Sequence, residues 1–142
     1  MYQNSVAVAV VILPVSLVSF AEGLMVIQRG NPQEDGHDLW AFPGGYVGIE
    51  DVRQAAVREV FEELQIKVNP AELDVKDVKS VPDGTKHLIF LQAPMVLEED
   101  LPPFIANGEV AERKIITNVR EVNWAFPLHC EQAKKFFAGI DK

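Results

Sequence analysis

The stretch GGYVGIEDVRQAAVREVFEELQI, running from Gly44 to Ile66, decides how this chain reads. Between Asp51 and Leu64 the apolar residues Val57, Val60, Phe61 and Leu64 recur at i, i+3, i+4 and i+7, which predicts an amphipathic helix. At about 100° per residue, Glu59, Glu62 and Glu63 fall together on nearly the opposite side. Glu59 and Glu63 are i, i+4 neighbours with Cβ atoms roughly 5 to 6 Å apart, and Glu62 is i+3 from Glu59. Like charges so placed repel and weaken a bare helix. A hard divalent cation removes that repulsion and prefers oxygen ligands, Mg²⁺ usually keeping waters and bridging to substrate phosphates.

An acidic helix face is ordinarily a solvated one. Here the surroundings argue for chemistry. Gly44 and Gly45 precede the helix, where a backbone without Cβ admits an ion or ligand closely. Arg58 is a permanently charged fork able to orient two carboxylates. Glu50 lies at the start of the helix, where its charge suits the positive end of the dipole.

Working outward, Val6 to Leu13 and Leu24 to Gln28 read as strands, with Gly23 in the turn region between them. Gly30 to Asp38 is polar and reads as a surface loop, and Pro43-Gly44-Gly45 as a turn. Val75 to Val81 and Thr85 to Gln92 flank Pro82-Asp83-Gly84, the chemistry of an antiparallel hairpin. Pro94 to Glu109 reads as irregular, a late strand or two falls between Ile115 and Trp124, and Cys130 to Ile140 has helical spacing. Strands interleaved with two helices give an α/β or α+β sandwich. No internal repeat, linker or low-complexity tract divides the chain, so residues 1–142 are expected to form one domain.

Gly44, five residues, Glu50, seven residues, then Arg58-Glu59-Val60-Phe61-Glu62-Glu63-Leu64-Gln65-Ile66 resembles the Nudix box, G-x5-E-x7-R-E-U-x-E-E-x-G-U, where U is bulky and apolar. Six of its seven fixed letters agree, a coincidence on the order of one in ten million per register. The resemblance implies an α/β/α sandwich with a mixed central sheet. It further implies hydrolysis of a diphosphate bond in a nucleoside diphosphate linked to another moiety, a pyrophosphatase activity assisted by Mg²⁺ or Mn²⁺. By the same match Glu59, Glu62 and Glu63 form the acidic metal cluster, and Arg58 and Glu50 form the ion pair that orients it. Gly44 or Gly45 lends a backbone carbonyl to the metal. A glutamate in or beyond the box serves as base in different members.

Two departures stand out. Gln65 occupies the second box glycine, where a helix-ending residue often has positive φ, and costs about 1 kcal/mol if that conformation is kept. The path from Gly45 to Glu50 is also one residue shorter than members commonly show. Either Gly44 is the box glycine or the loop Tyr46 to Ile49 is trimmed.

Thirteen Lys plus Arg against 21 Asp plus Glu give a formal charge of -8, which opposes binding to a nucleic-acid polymer through a bulk surface. A small phosphorylated ligand is still admitted, since a bound cation inverts the local field. Val6 to Phe20 contains Pro14 and is shorter than the ~20 residues of a membrane helix. Met1 to Ser5 carries no basic residue of a signal peptide. With no spanning segment, no membrane partner is expected; the lone Cys130 makes no internal disulfide, so a cytoplasmic location is the expectation. A homodimer is compatible with the sequence.

His37, His87 and His129 have no ligand spacing and read as surface or strand-end residues rather than catalytic bases. Trp124 and Phe126 read as core in preference to base-stacking groups, and Cys130 as a buried thiol. Glu98, Glu99, Asp100, Glu109 and Glu112 stay open as donors of a carboxylate from outside the box. The expected partner is a small-molecule nucleotide. The rival reading is a Nudix-fold nucleotide-binding or sensor module without hydrolysis, which need not keep repelling carboxylates in register.

Overall fold

The computed structural model describes residues 5–140. Of the leader reading at Met1 to Ser5, the first four residues lie outside that range. Strand β1 (Val6–Ile12) passes through Leu13 into β2 (Pro14–Ser16), and β3 (Glu22–Arg29) folds back on β2. Two short strands, β4 (Trp40–Ala41) and β5 (Gly44–Tyr46), precede helix α1 (Val52–Leu64). The hairpin β6 (Asp74–Ser80) and β7 (Lys86–Gln92) follows, then β8 (Val96–Leu97), β9 (Val110–Ile116) and helix α2 (Pro127–Ile140).

The strands form mixed sheets, as expected, in two parts joined by the continuous β1–β2 segment. One has the order β5-β1-β7-β6, and the other β4-β3-β2-β8 with β9 on β3. β1 runs parallel to β7 and antiparallel to β5. Both faces of β1 are covered, which explains a run of apolar residues with no polar alternation. Ala9 and Val11 join Leu13, Met25 and Ile27 in a core with Ala55, Ala56, Val60 and Leu64 of α1. Val10 and Ile12 join Leu24, Val26, Phe42 and Phe90 in a second core with Ala133 of α2, against which Phe136 and Phe137 pack. The arrangement is an α/β sandwich with a helix on either face.

Several boundaries differ from the sequence reading, each for a packing reason. Gly23 lies inside β3, paired with Val15; a Cβ there would come within 2.6 Å of the Ile115 side chain. The turn falls instead at residues 17–21, closed by Leu17 N–H to the Ala21 carbonyl, with Phe20 at φ 68°. Gly44 and Gly45 form strand β5 on β1 and not a turn. β9 begins at Val110, earlier than expected, because pairing with β3 orders the charged Glu112-Arg113-Lys114 run. The Pro94 to Glu109 stretch holds the two-residue β8 and a 3₁₀ turn at Glu98–Asp100. α2 starts at Pro127 rather than Cys130, proline being pre-organised for the first helical position.

The hairpin forms as expected, with Gly84 at φ 73° and Asp83 Oδ1 accepting from the Thr85 N–H and hydroxyl. Helix α1 starts at a capping box: Asp51 accepts from the Gln54 N–H at 3.0 Å, and Gln54 returns an acceptor to the Asp51 N–H. Among the described residues no helix is long and apolar enough to cross a membrane.

Candidate active site

The helix orientation sets the site. The buried residues of α1 are Ala55, Ala56, Glu59, Val60, Glu63 and Leu64, an arc of about 180° at 100° per residue. Phe61, expected on the apolar stripe, is 48% exposed, and Val57 is only partly buried. The three glutamates therefore do not share a solvent face. Glu59 and Glu63 turn into the protein at 9% and 5% exposure, whereas Glu62 points outward. Two adjacent alanines lay this side of the helix close against β1 and β5, and Gly44-Gly45 supplies the room the carboxylates need.

Both glycines are sterically required, in different ways. A Cβ on Gly44 would overlap the Ala9 carbonyl of β1, and one on Gly45 would overlap the Glu59 carboxylate. The Gly44 N–H donates to Glu63 Oε1 at 2.8 Å. Arg58 braces the other side: Nη2 lies 2.6 Å from Glu50 Oε1, and Nη1 is 2.9 Å from Glu59 Oε1 and 3.5 Å from Glu62 Oε2. Its Nη2 also donates to the Tyr46 carbonyl at 3.2 Å. The Arg58–Glu50 pair named from the sequence is thus present, and the guanidinium reaches three carboxylates rather than two.

Electrostatics follow from burial. Desolvation raises the Glu63 carboxyl well above the usual carboxylate range, with the Gly44 hydrogen bond opposing and the Glu59 and Glu109 charges adding to the rise. Desolvation also raises Glu59, opposed by the hydrogen bond and charge of Arg58. Glu50 is lowered, chiefly by its hydrogen bond to Arg58, and Arg58 is raised by the same bond.

A third carboxylate completes the group from across the fold. Glu59, Glu63 and Glu109 each offer an oxygen, all within 4.8 Å of one another. Such a set of hard oxygens, two of them poorly hydrated and mutually repelling, could hold a metal ion. Of the Glu59, Glu62 and Glu63 set of the sequence reading, Glu59 and Glu63 converge here with Glu109, while Glu62 lies beside Arg58. Of the other open candidates, Glu98 accepts from the Val18 N–H and Glu112 from its neighbour Arg113. No spacing in the sequence singles out Glu109, because its approach depends on the pairing of β9 with β3.

The histidines divide. His37 faces Asp38 at the surface, and His87 bonds to Ser80 and Ser5 at the end of β7. His129 departs from the surface reading: it is buried on α2 against Phe42, Phe90 and Phe126, and Nδ1 accepts from the Phe42 N–H at 3.1 Å. Burial pushes its pKa down to about 3. Trp124 packs on Phe42 in the α2-side core, Phe126 lies beneath Arg29, and Cys130 is partly buried.

The family model for the NUDIX domain matches residues 5–139. Among solved structures, a MutT/nudix family protein from Enterococcus faecalis superposes at TM-score 0.82 with 20% identity, covering 100% of this chain and 64% of that one. The NUDIX domain of Shewanella oneidensis NrtR, complexed with ADP ribose, gives 0.78 with 15% identity, over 98% and 90%. A MutT/nudix family protein from Listeria innocua gives 0.74 with 24% identity, over 99% and 96%. No curated protein gives a significant match. The chain belongs to the Nudix family. It spans about two thirds of the length of the Enterococcus faecalis protein.

Proposed function

We propose that the protein is a Nudix-type hydrolase that cuts the diphosphate bond of a nucleoside diphosphate linked to another group, with Mg²⁺ or Mn²⁺. The observation that carries this reading is the convergence of Glu59, Glu63 and Glu109 within 4.8 Å beside a glycine strand. Glu59, Glu63 and Glu109 would hold the ion, which would supply charge neutralisation for the diphosphate and activation of a water, two roles open to a catalytic metal. The protein's own groups do the positioning. Arg58 fixes Glu59 against Glu50, the Gly44 N–H fixes Glu63, and Glu109 closes the group from the β9 side. In the reaction a water oxygen bonds to one phosphorus, the bridging P–O bond breaks with its electron pair going to the departing phosphate, and the proton lost by the attacking water passes to solvent.

The ADP ribose bound to the Shewanella oneidensis domain belongs to the proposed substrate class. A net charge of -8 supports a small nucleotide over a nucleic-acid polymer as partner. The lone cysteine supports a cytoplasmic setting. Domain 1–142 acting alone or as a homodimer fits the same chemistry. The test is a panel of nucleoside diphosphate derivatives assayed for phosphatase-coupled phosphate release. At least one compound is cut in Mg²⁺; saturable binding with no cleavage of any member would favour the non-hydrolysing sensor module and contradict the proposal.

A further inference from the structure

Gln65 ends helix α1 in the left-handed region, at φ 62° and ψ 20°, with its N–H on the Phe61 carbonyl. A side chain in that conformation is strained relative to glycine. The strained residue makes a long-range contact that glycine could not: Gln65 Oε1 accepts from the Ile105 N–H at 3.1 Å. Ile105 belongs to the segment between Leu101 and Glu109. Leu101 and Phe104 seat that segment on the α1-side core. At its far end Asn107 Oδ1 accepts from the Glu109 and Val110 N–H groups, both at 3.0 Å, and the Glu109 carbonyl accepts from Gly30. The segment is thus held at an apolar seat, at the Gln65 bond and at a closing turn, and it ends at the carboxylate that meets Glu59 and Glu63.

We propose that Gln65 is a positioning residue for the carboxylate cluster, its hydrogen bond to Ile105 holding the 101–109 segment so that Glu109 reaches Glu59 and Glu63. The inference rests on the metal reading of that cluster. Helix end and metal loop are coupled through one side-chain acceptor, so the residue that departs from the family glycine contributes to the site without touching the ion.

The test uses the full chain with three substitutions. Gln65→Gly removes strain and acceptor together, Gln65→Met keeps the length but lacks the acceptor, and Gln65→Glu keeps an acceptor oxygen. Mn²⁺ binding is followed by the loss of free-ion paramagnetic resonance signal, and Ile105 amide protection by hydrogen exchange. Gln65→Gly and Gln65→Met are expected to expose the Ile105 amide and weaken Mn²⁺ binding by roughly tenfold, the lower edge of what loss of a supporting partner costs a metal site. Gln65→Glu is expected to preserve both. Parental Mn²⁺ affinity in Gln65→Gly and Gln65→Met, or equal loss in Gln65→Glu, would overturn the positioning role while leaving the metal reading intact. A parent whose Mn²⁺ binding is absent, or is unaltered by Glu63→Gln, would overturn the metal reading and this inference with it.

Discussion

The Gly44 N–H and the Glu63 carboxylate meet at 2.8 Å across 19 residues of sequence, joining the first strand of the box to the last turn of its helix. The bond keeps the carboxylate oriented in a place where Glu63 is only 5% exposed. Burial raises the proton affinity of Glu63, so its carboxylate is stabilised there by the Gly44 donor and, in the proposed function, by a cation.

Glu63→Gln therefore keeps an oxygen for the Gly44 N–H and removes a poorly solvated charge from a repelling group. The metal-free variant should melt no lower than the parent. Glu63→Ala leaves the Gly44 N–H unpaired in a partly buried strand and should lose roughly 1 to 3 kcal/mol. Thermal melts of the three metal-free proteins check this, and a Gln variant less stable than the Ala variant would contradict it.

Arg58→Lys keeps the charge but not the fork that spans Glu50, Glu59 and the Tyr46 carbonyl. Turnover should fall by roughly tenfold or more, because an ammonium holds a carboxylate as a point charge without fixing its plane. Far-ultraviolet circular dichroism should be unchanged. Parental turnover would show that the brace is dispensable.

Gly44→Ala and Gly45→Ala should fail in different ways. The first drives a methyl into the Ala9 backbone carbonyl, which cannot swing aside, and should lose stability by roughly 1 to 3 kcal/mol through overpacking. The second meets the mobile end of Glu59, so the fold survives while the carboxylate is displaced. Denaturant melts paired with Mn²⁺ titrations separate them. Gly45→Ala with undiminished Mn²⁺ affinity would exclude Glu59 from the ion's surroundings.

His129 makes stability depend on pH. Its folded pKa, about 3, lies below the unfolded value, so the unfolded chain binds more protons between them. The stabilisation is fully present above about pH 6.5 and declines as pH falls, by up to about 1.4 kcal/mol per unit. Glu59 and Glu63, whose pKa values are raised, act with the opposite sign. The comparison is therefore between the parent and His129→Gln at each pH from 7.5 to 5, by denaturant melts. The parent's stability should drop more steeply with acidification; parallel profiles would refute a buried neutral imidazole.

The box, the helix register, the hairpin and the Arg58–Glu50 pair were legible because each depends on residues close in sequence. The rotation of α1 was not. Helical spacing ranks Val57 and Phe61 as core, yet Ala55 and Ala56 let a different face approach the sheet, and that face carries Glu59 and Glu63. Gly44-Gly45 reads as a turn by composition and is a strand because only glycine clears Ala9 and Glu59 there. Glu109 and the burial of His129 arise from long-range pairing of β9 with β3 and docking of α2, which no local pattern encodes.

If Glu59, Glu63 and Glu109 hold a divalent ion for diphosphate cleavage, the cleavage rate of a responsive panel compound depends on all three. That rate is to be measured against Mg²⁺ concentration for the parent and for Glu59→Gln, Glu63→Gln and Glu109→Gln side by side. No turnover is expected in EDTA, with recovery in Mg²⁺ or Mn²⁺, and for each variant a rate at least roughly tenfold lower or a curve displaced to higher Mg²⁺. Undiminished cleavage in metal-free buffer, or three variants that follow the parent's curve, would contradict the metal role of the three glutamates.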